Sequence, residues 1–258
     1  MKIVVLIKQV ANKDAILRIN REETWIKEDD ISYDTNESDG YALEEALRLK
    51  EKRGGEVVVC TMGPPRVKSV IKDGLARGAD RAIHVVTAES QHFSPFQTAT
   101  LLADALREEK PDLILSGLQS DDYGYGQTGV VLAELMGFAS ATIVIEVDAS
   151  ANDGLRVKRE LESGWYQWYQ MTLPALLTIQ SGINQIRYAT LKGIMAAKKK
   201  ETREVIPQAV TTAAASSQII RRVYLPQKSK ETKFLGGNDA RAGAAELAEK
   251  LHSDIRII

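Results

Sequence analysis

Cysteine is almost missing from this sequence. Cys60 is the single thiol in 258 residues, which excludes a disulfide within the chain and any metal site built from several cysteines. Histidine is nearly as scarce: His84, His92 and His252 are scattered without ligand-like spacing, so no zinc or di-iron centre is expected. A dominant charge is missing too. Lys and Arg number 34 against 35 Asp and Glu, leaving no global field that favours nucleic acid or an anionic membrane. Long apolar runs are absent as well. The opening MKIVVLIKQV holds an uninterrupted apolar stretch of only five residues before polar Gln9, Asn12, Lys13 and Asp14 follow. It reads as a first buried strand rather than a signal peptide. Nothing approaches the ~20 apolar residues of a membrane helix. A soluble, cytoplasmic protein is expected, with the ordinary hydrophobic share of 44% and charged share of 27%.

What is present is an alternation of two periods. Ile3–Ile7 is a continuous aliphatic run, as a strand covered on both faces requires. Residues 39–53 put Ala42, Leu43, Ala46, Leu47 and Leu49 on a helical stripe, with Ser38 or Asp39 as cap and Gly54-Gly55 as stop. Strands are expected at 56–62, 81–86 and 112–117, and helices at 66–76, 95–109 and 127–136. Strands separated by helices at this spacing predict right-handed βαβ units. Four strands at 141–147, 155–161, 165–172 and 175–180, with a turn at Asn152-Asp153-Gly154, predict an antiparallel meander. The fold class expected is α/β: a Rossmann-like, doubly wound, mostly parallel sheet with an antiparallel extension and a C-terminal arm. Residues 1–184 would form the α/β domain that carries any ligand site. Residues 185–258 would form the arm, with Thr211 to Gln218 linker-like, Arg221 to Pro226 extended and Arg241 to His252 helical.

Ligands of a doubly wound sheet sit at the carboxyl ends of its strands. Four loops fall there: Lys8 to Lys13, Asp34 to Asp39, Met62-Gly63-Pro64, and SDDYGYGQTG at 120–129. In the last, Gly124, Gly126 and Gly129 permit close backbone approach, and Gln127-Thr128-Gly129 opens a helix whose N–H groups suit a phosphate. Asp121 and Asp122 oppose a polyphosphate unless they point elsewhere. The loop is therefore either a phosphate site or a glycine-rich turn that binds nothing. Neither the P-loop pattern nor G-x-G-x-x-G after the first strand is present. No nucleophile or acid–base pair stands out, so a binding or carrier role is favoured and no catalytic residue is assigned. Trp165, Tyr166, Trp168 and Tyr169 make either a flavin platform or, as the favoured reading, a strand between core and partner. Lys198, Lys199 and Lys200 are either phosphate ligands or a solvated run.

Five stretches together resemble the electron-transfer flavoprotein β-subunit family: IVVLIKQV at 3–10, NESDGYALEEALRLKEK at 36–52, GLARGADRAIHV at 74–85, DDYGYGQTGVVLAELMG at 121–137, and RELESGW at 159–165 continuing through LPALLTIQSGINQIRYATLKGIMAAKKK at 173–200. RRVYLP at 221–226 is similar to members serving small-amine dehydrogenases. The resemblance implies an electron carrier rather than an enzyme with its own substrate. The carrier is a heterodimer whose α subunit holds most of an FAD, with AMP in the β subunit. Electrons come from a flavin-dependent dehydrogenase and pass to a quinone reductase or similar acceptor. Cofactor-binding positions carried over are Leu6; Asn36, Glu37, Ser38 and Asp39; Met62; and Gly126, Gln127, Thr128, Gly129, Val130, Val131 and Leu132. Asn36-Glu37 stands where many members have Asn-Pro. Docking to the dehydrogenase falls to Tyr188, Ala189, Thr190 and Leu191, flanked by Lys198, Lys199 and Lys200. Two alternatives are an electron-bifurcating member with FAD in the β site, and a homodimeric adenine-nucleotide module of the stress type. The long segment after 185 disfavours the second.

Overall fold

The computed structural model describes residues 1–29, 31–88, 92–150, 154–207, 220–226 and 232–255. The chain divides into one unit of Met1–Arg18 with Ile26–Arg221 and a second of Ile19–Trp25 with Arg222–Ile258.

In the first unit, β1 (Lys2–Leu6) is followed by a two-stranded antiparallel ribbon of β2 (Gln9–Ala11) and β3 (Tyr33–Thr35). Then come α1 (Glu37–Arg53), β4 (Glu56–Gly63), α2 (Lys68–Arg77), β5 (Arg81–Val86), α3 (Pro95–Leu106), β6 (Leu113–Gly117) and α4 (Thr128–Met136). Pro95 takes the first position of α3 behind a Ser94–Gln97 capping box, which sets the start of that helix. The chain continues through β7 (Ala139–Asp148), β8 (Leu155–Glu160), β9 (Tyr166–Met171), β10 (Ala175–Ile179), α5 (Leu191–Ala197) and β11 (Thr202–Val205).

Nine strands form one sheet in the order β11-β5-β4-β1-β6-β10-β7-β8-β9. It is parallel from β11 to β7 and antiparallel from β7 to β9. The alternate residues of the central strands serve two cores. Ile3, Val5, Val57, Val59 and Leu115 pack under α1 and α2, while Val4, Val58, Cys60, Ile83 and Ile114 pack under α3 and α4. Both faces of the sheet are thus covered, as the continuous aliphatic runs require.

Four features differ from the sequence expectation. The N-cap of α1 is Asn36 rather than Ser38 or Asp39, which lie inside the helix and bond to other loops. Ala175–Ile179 is not the fourth strand of a meander: it lies between β6 and β7, parallel to both. The charge run around Lys200 leads into β11, which extends the sheet beyond β5. Residues 191–197, within the expected arm and given no element there, form the short helix α5. The Asn152-Asp153 part of the expected turn and the linker at Thr211 to Gln218 lie outside the described residues. The second unit holds α6 (Ala240–Lys250), capped by the Asp239 side chain, and an ion pair between Arg222 and Glu23.

Candidate functional site

The chain leaves β1 toward β4 on one side, and β6 pairs on the other. This is the point where strand order reverses and two loops diverge to helices on opposite faces, the place where such sheets bind ligands. The first loop, after β1, reaches α1 through the β2–β3 ribbon; the second runs from Gly117 to the start of α4.

The start of α1 ties the two loops together. The Asp39 carboxylate accepts the Lys8 N–H at 2.7 Å and the Gly117 N–H at 2.8 Å. Burial outweighs both bonds and lifts its pKa from 3.8 to about 7. Asn36 donates to the Gln119 carbonyl at 2.9 Å and accepts the Asp121 N–H at 2.9 Å, and the Ser38 hydroxyl donates to the same carbonyl at 2.8 Å. A Cβ at Gly117 would run into Ser38 Oγ and Asp39 Oδ1, so only glycine lets α1 close onto β6.

The two acids that argued against a phosphate are engaged elsewhere. Asp122 forms a 2.6 Å ion pair with Lys8, and Asp121 accepts the Glu37 N–H at 3.2 Å. Burial raises the Asp122 pKa, but the Lys8 ammonium outweighs it and the net shift is downward. Lys8 also lies 4.6 Å from the centroid of Tyr123, which stacks on Tyr125 at 5.4 Å.

Gly126, at φ 62°, turns the loop into α4, and Gln127 supplies no side-chain cap to that helix. The amides of its first turn are left for another acceptor. A Cβ at Gly129 would press on Ser116 Oγ and Thr178 Cγ2, both at 2.8 Å, so this glycine seats α4 directly on β6 and β10. Val131 and Leu132 join Leu6 and Met62 in one apolar cluster. An uncapped helix start, an Asp122 paired with Lys8 and this apolar patch fit a nucleotide monophosphate. Gln127, Thr128, Gly129 and Val130 would meet the phosphate, and Leu6 and Met62 the apolar moiety. Glu37 offers its exposed side chain at the edge of the same place. Among the described residues no group of His, Cys, Asp and Glu can hold a metal ion. Burial pushes the Cys60 thiol up to about 12, which leaves it an inert core residue.

A second cluster lies at α5. Tyr188 is 93% exposed and Leu191 78%, with Thr190 exposed and Ala189 half-buried. The Thr190 hydroxyl caps α5 by accepting the Gly193 N–H at 3.0 Å. Lys198 and Lys199 are exposed, whereas Lys200 turns inward and donates to the Leu75 and Ala79 carbonyls at 2.9 and 2.5 Å. A cavity of about 490 Å³ runs between α2, α5 and β11, with Ile71, Leu75 and Ile194 in its wall. In the aromatic strand, Tyr169 packs on the core while Trp165, Tyr166 and Trp168 are exposed. Arg156 stands 4.4 Å over Trp168 and Lys158 4.6 Å over Tyr166.

The sequence model for the family described as "Electron transfer flavoprotein domain" matches residues 24–210. The electron transfer flavoprotein subunit beta of Methylophilus methylotrophus is 36% identical over 245 residues, 92% of this chain and 93% of that relative. The chain belongs to the electron-transfer flavoprotein β-subunit family. The human subunit beta is 35% identical over 80% of this chain and 82% of its own length. The mitochondrial subunit beta of Oryza sativa subsp. japonica is 32% identical over the full length of both. Family membership implies electron transfer. No helix among the described residues is long and apolar enough to cross a membrane.

Sequence reading placed Lys8 and Tyr123 in crevice loops without giving either a partner, and it missed Gly117 and Gln119. Gly117 sits at the end of β6, and that position alone was a usable signal. Gln119 contributes only a carbonyl and carries no side-chain cue.

Proposed function

We propose that this chain binds AMP in the crevice beyond β1 and β6 and joins an α subunit that carries FAD. The heterodimer takes electrons from a flavin-dependent dehydrogenase and delivers them to a downstream acceptor such as a membrane quinone reductase. The observation that carries the nucleotide is the uncapped start of α4 beside the Asp39-bridged loops. FAD supplies the one- and two-electron chemistry when bound to the assembly. This chain's residues bind and orient. Asp39, Asn36 and Ser38 hold the loop that ends in Gln127 and Thr128, and the first turn of α4 offers its amides to the phosphate. Leu191, exposed at the start of α5, is the apolar anchor on the dehydrogenase, with Lys198 and Lys199 exposed at the other end of that helix. A small interface of this kind suits a carrier that must let go quickly.

Leu191→Ala tests the docking part. Loss of a hot-spot anchor is expected to slow flavin reduction by the dehydrogenase at least about tenfold. Subunit assembly and flavin content are expected to stay at wild-type levels. Unchanged stopped-flow reduction kinetics would refute the assignment. Two flavins per heterodimer, instead of one with AMP, would refute the nucleotide assignment.

A further inference from the structure

The segment before the docking residues is fixed to α1 by a polar latch. Tyr41, Glu44, Glu45, Arg48 and Glu51 recur at helical spacing and form a stripe along α1. Residues 184–187 lie along that stripe. Asn184 Nδ2 donates to the Tyr41 carbonyl and to Glu45 Oε2, both at 3.1 Å, and Arg48 Nη2 donates to the Gln185 carbonyl at 3.2 Å. Arg187 then closes the latch. Its Nε and Nη2 fork onto the two oxygens of Glu44 at 2.8 and 3.1 Å, its N–H adds a third bond at 3.2 Å, and Nη1 reaches Glu51 at 2.6 Å. Glu44 is buried, and Arg48 Nε donates to it as well at 2.8 Å. Burial raises the pKa of Glu44, but the two guanidinium groups outweigh it and hold the carboxylate ionised.

Tyr188 follows at once and is almost fully exposed. The chain is gripped again at Gly193, where a Cβ would strike the Ala76 carbonyl of α2. Residues 188–192 are therefore a span held at both ends and exposed except at Ala189, which rests half-buried against the core. A bidentate, charge-assisted pair is the strongest polar contact available for such an anchor.

We propose that Arg187 is the positioning residue of the docking span: by gripping Glu44 and Glu51 it presents Tyr188–Leu191 in one pose for the partner dehydrogenase. This rests on the docking role of Leu191 given above. Pre-ordering lowers the entropy lost on association, so releasing the latch weakens encounter without altering the electron-transfer step.

The test uses the heterodimer with wild-type chain, Arg187→Met, Arg187→Lys and Leu191→Ala. Flavin reduction is followed with a flavin-dependent dehydrogenase that reduces the wild type, and with dithionite, which needs no docking. Arg187→Met is expected to raise the KM for the carrier about tenfold with kcat within about twofold, the reduction in competent population that a lost charged anchor implies. The dithionite rate is expected to be unchanged. Arg187→Lys keeps the charge but not the fork and is expected to restore part of the KM. Hydrogen exchange at residues 188–192 is expected to quicken in Arg187→Met and not at β1 or β6. If Leu191→Ala raises KM while Arg187→Met changes neither KM nor exchange, the latch is refuted and docking survives. If Leu191→Ala has no effect, docking itself fails, and unchanged exchange in Arg187→Met would then overturn the latch by itself.

Discussion

Asp39 concentrates the physics of the crevice in one carboxyl group. It is buried, and it is the only bond from α1 to the end of β1 and the end of β6 at once among the described residues. Its folded pKa of about 7 lies above the ordinary 3.8. Between those values the folded protein holds a proton that the unfolded chain has released. Stability therefore falls as pH rises through that window, by up to about 1.4 kcal/mol per pH unit, and the loss is complete above it. Asp39→Asn is neutral throughout and is expected to flatten this part of the slope. Urea unfolding at pH 5 and pH 8 measures it, and parallel wild-type and variant profiles would contradict it. Asp39 was legible as a site residue through the family resemblance. That it spends its carboxylate on two backbone amides was not, because Gly117 lies far away in sequence and only the fold brings it near.

At the scale of elements, Lys200 shows how a sequence run is divided by structure. Three consecutive lysines look alike on paper, yet the third closes the end of α2 by donating to the Leu75 carbonyl in its last turn and to the Ala79 carbonyl just beyond the helix. Burial lowers its pKa somewhat. Lys200→Met is expected to cost roughly 1–2 kcal/mol, the range of a charged hydrogen bond partly screened by solvent. Lys199→Met, at an exposed position, is expected to cost almost nothing. Thermal unfolding separates the two, and equal losses would contradict the assignment. The βα units from β1 to α4 were readable because their aliphatic runs and amphipathic helices carry clear periods, with the capping box of α3 as a further mark. The placing of β10 was not. Ala175–Ile179 is buried throughout, and a fully buried run has the same pattern in parallel and antiparallel pairing. α5 is seven residues long with a glycine inside, and β11 is four residues with charged neighbours, so neither supplies enough of a period to be seen. Thr190, the cap of α5, was the one local cue.

Over the whole molecule, charge is near neutral, and thiols and histidines are scarce. Its first unit offers a crevice where strand order reverses and an exposed apolar helix start at Leu191; the 24–210 match to the family covers the second and all of the first but the end of β1 with Leu6 and Lys8. The central claim is that the crevice holds an adenosine nucleotide at the start of α4. The most direct measurement is the nucleotide content of the purified heterodimer, released by denaturation and identified by mass spectrometry, for wild type and for Gly129→Val. A valine at 129 forces α4 off Ser116 and Thr178. One AMP and one FAD per wild-type heterodimer, with AMP lost and FAD retained in the variant, is the predicted result. A wild-type heterodimer without bound adenine nucleotide in this chain would contradict it.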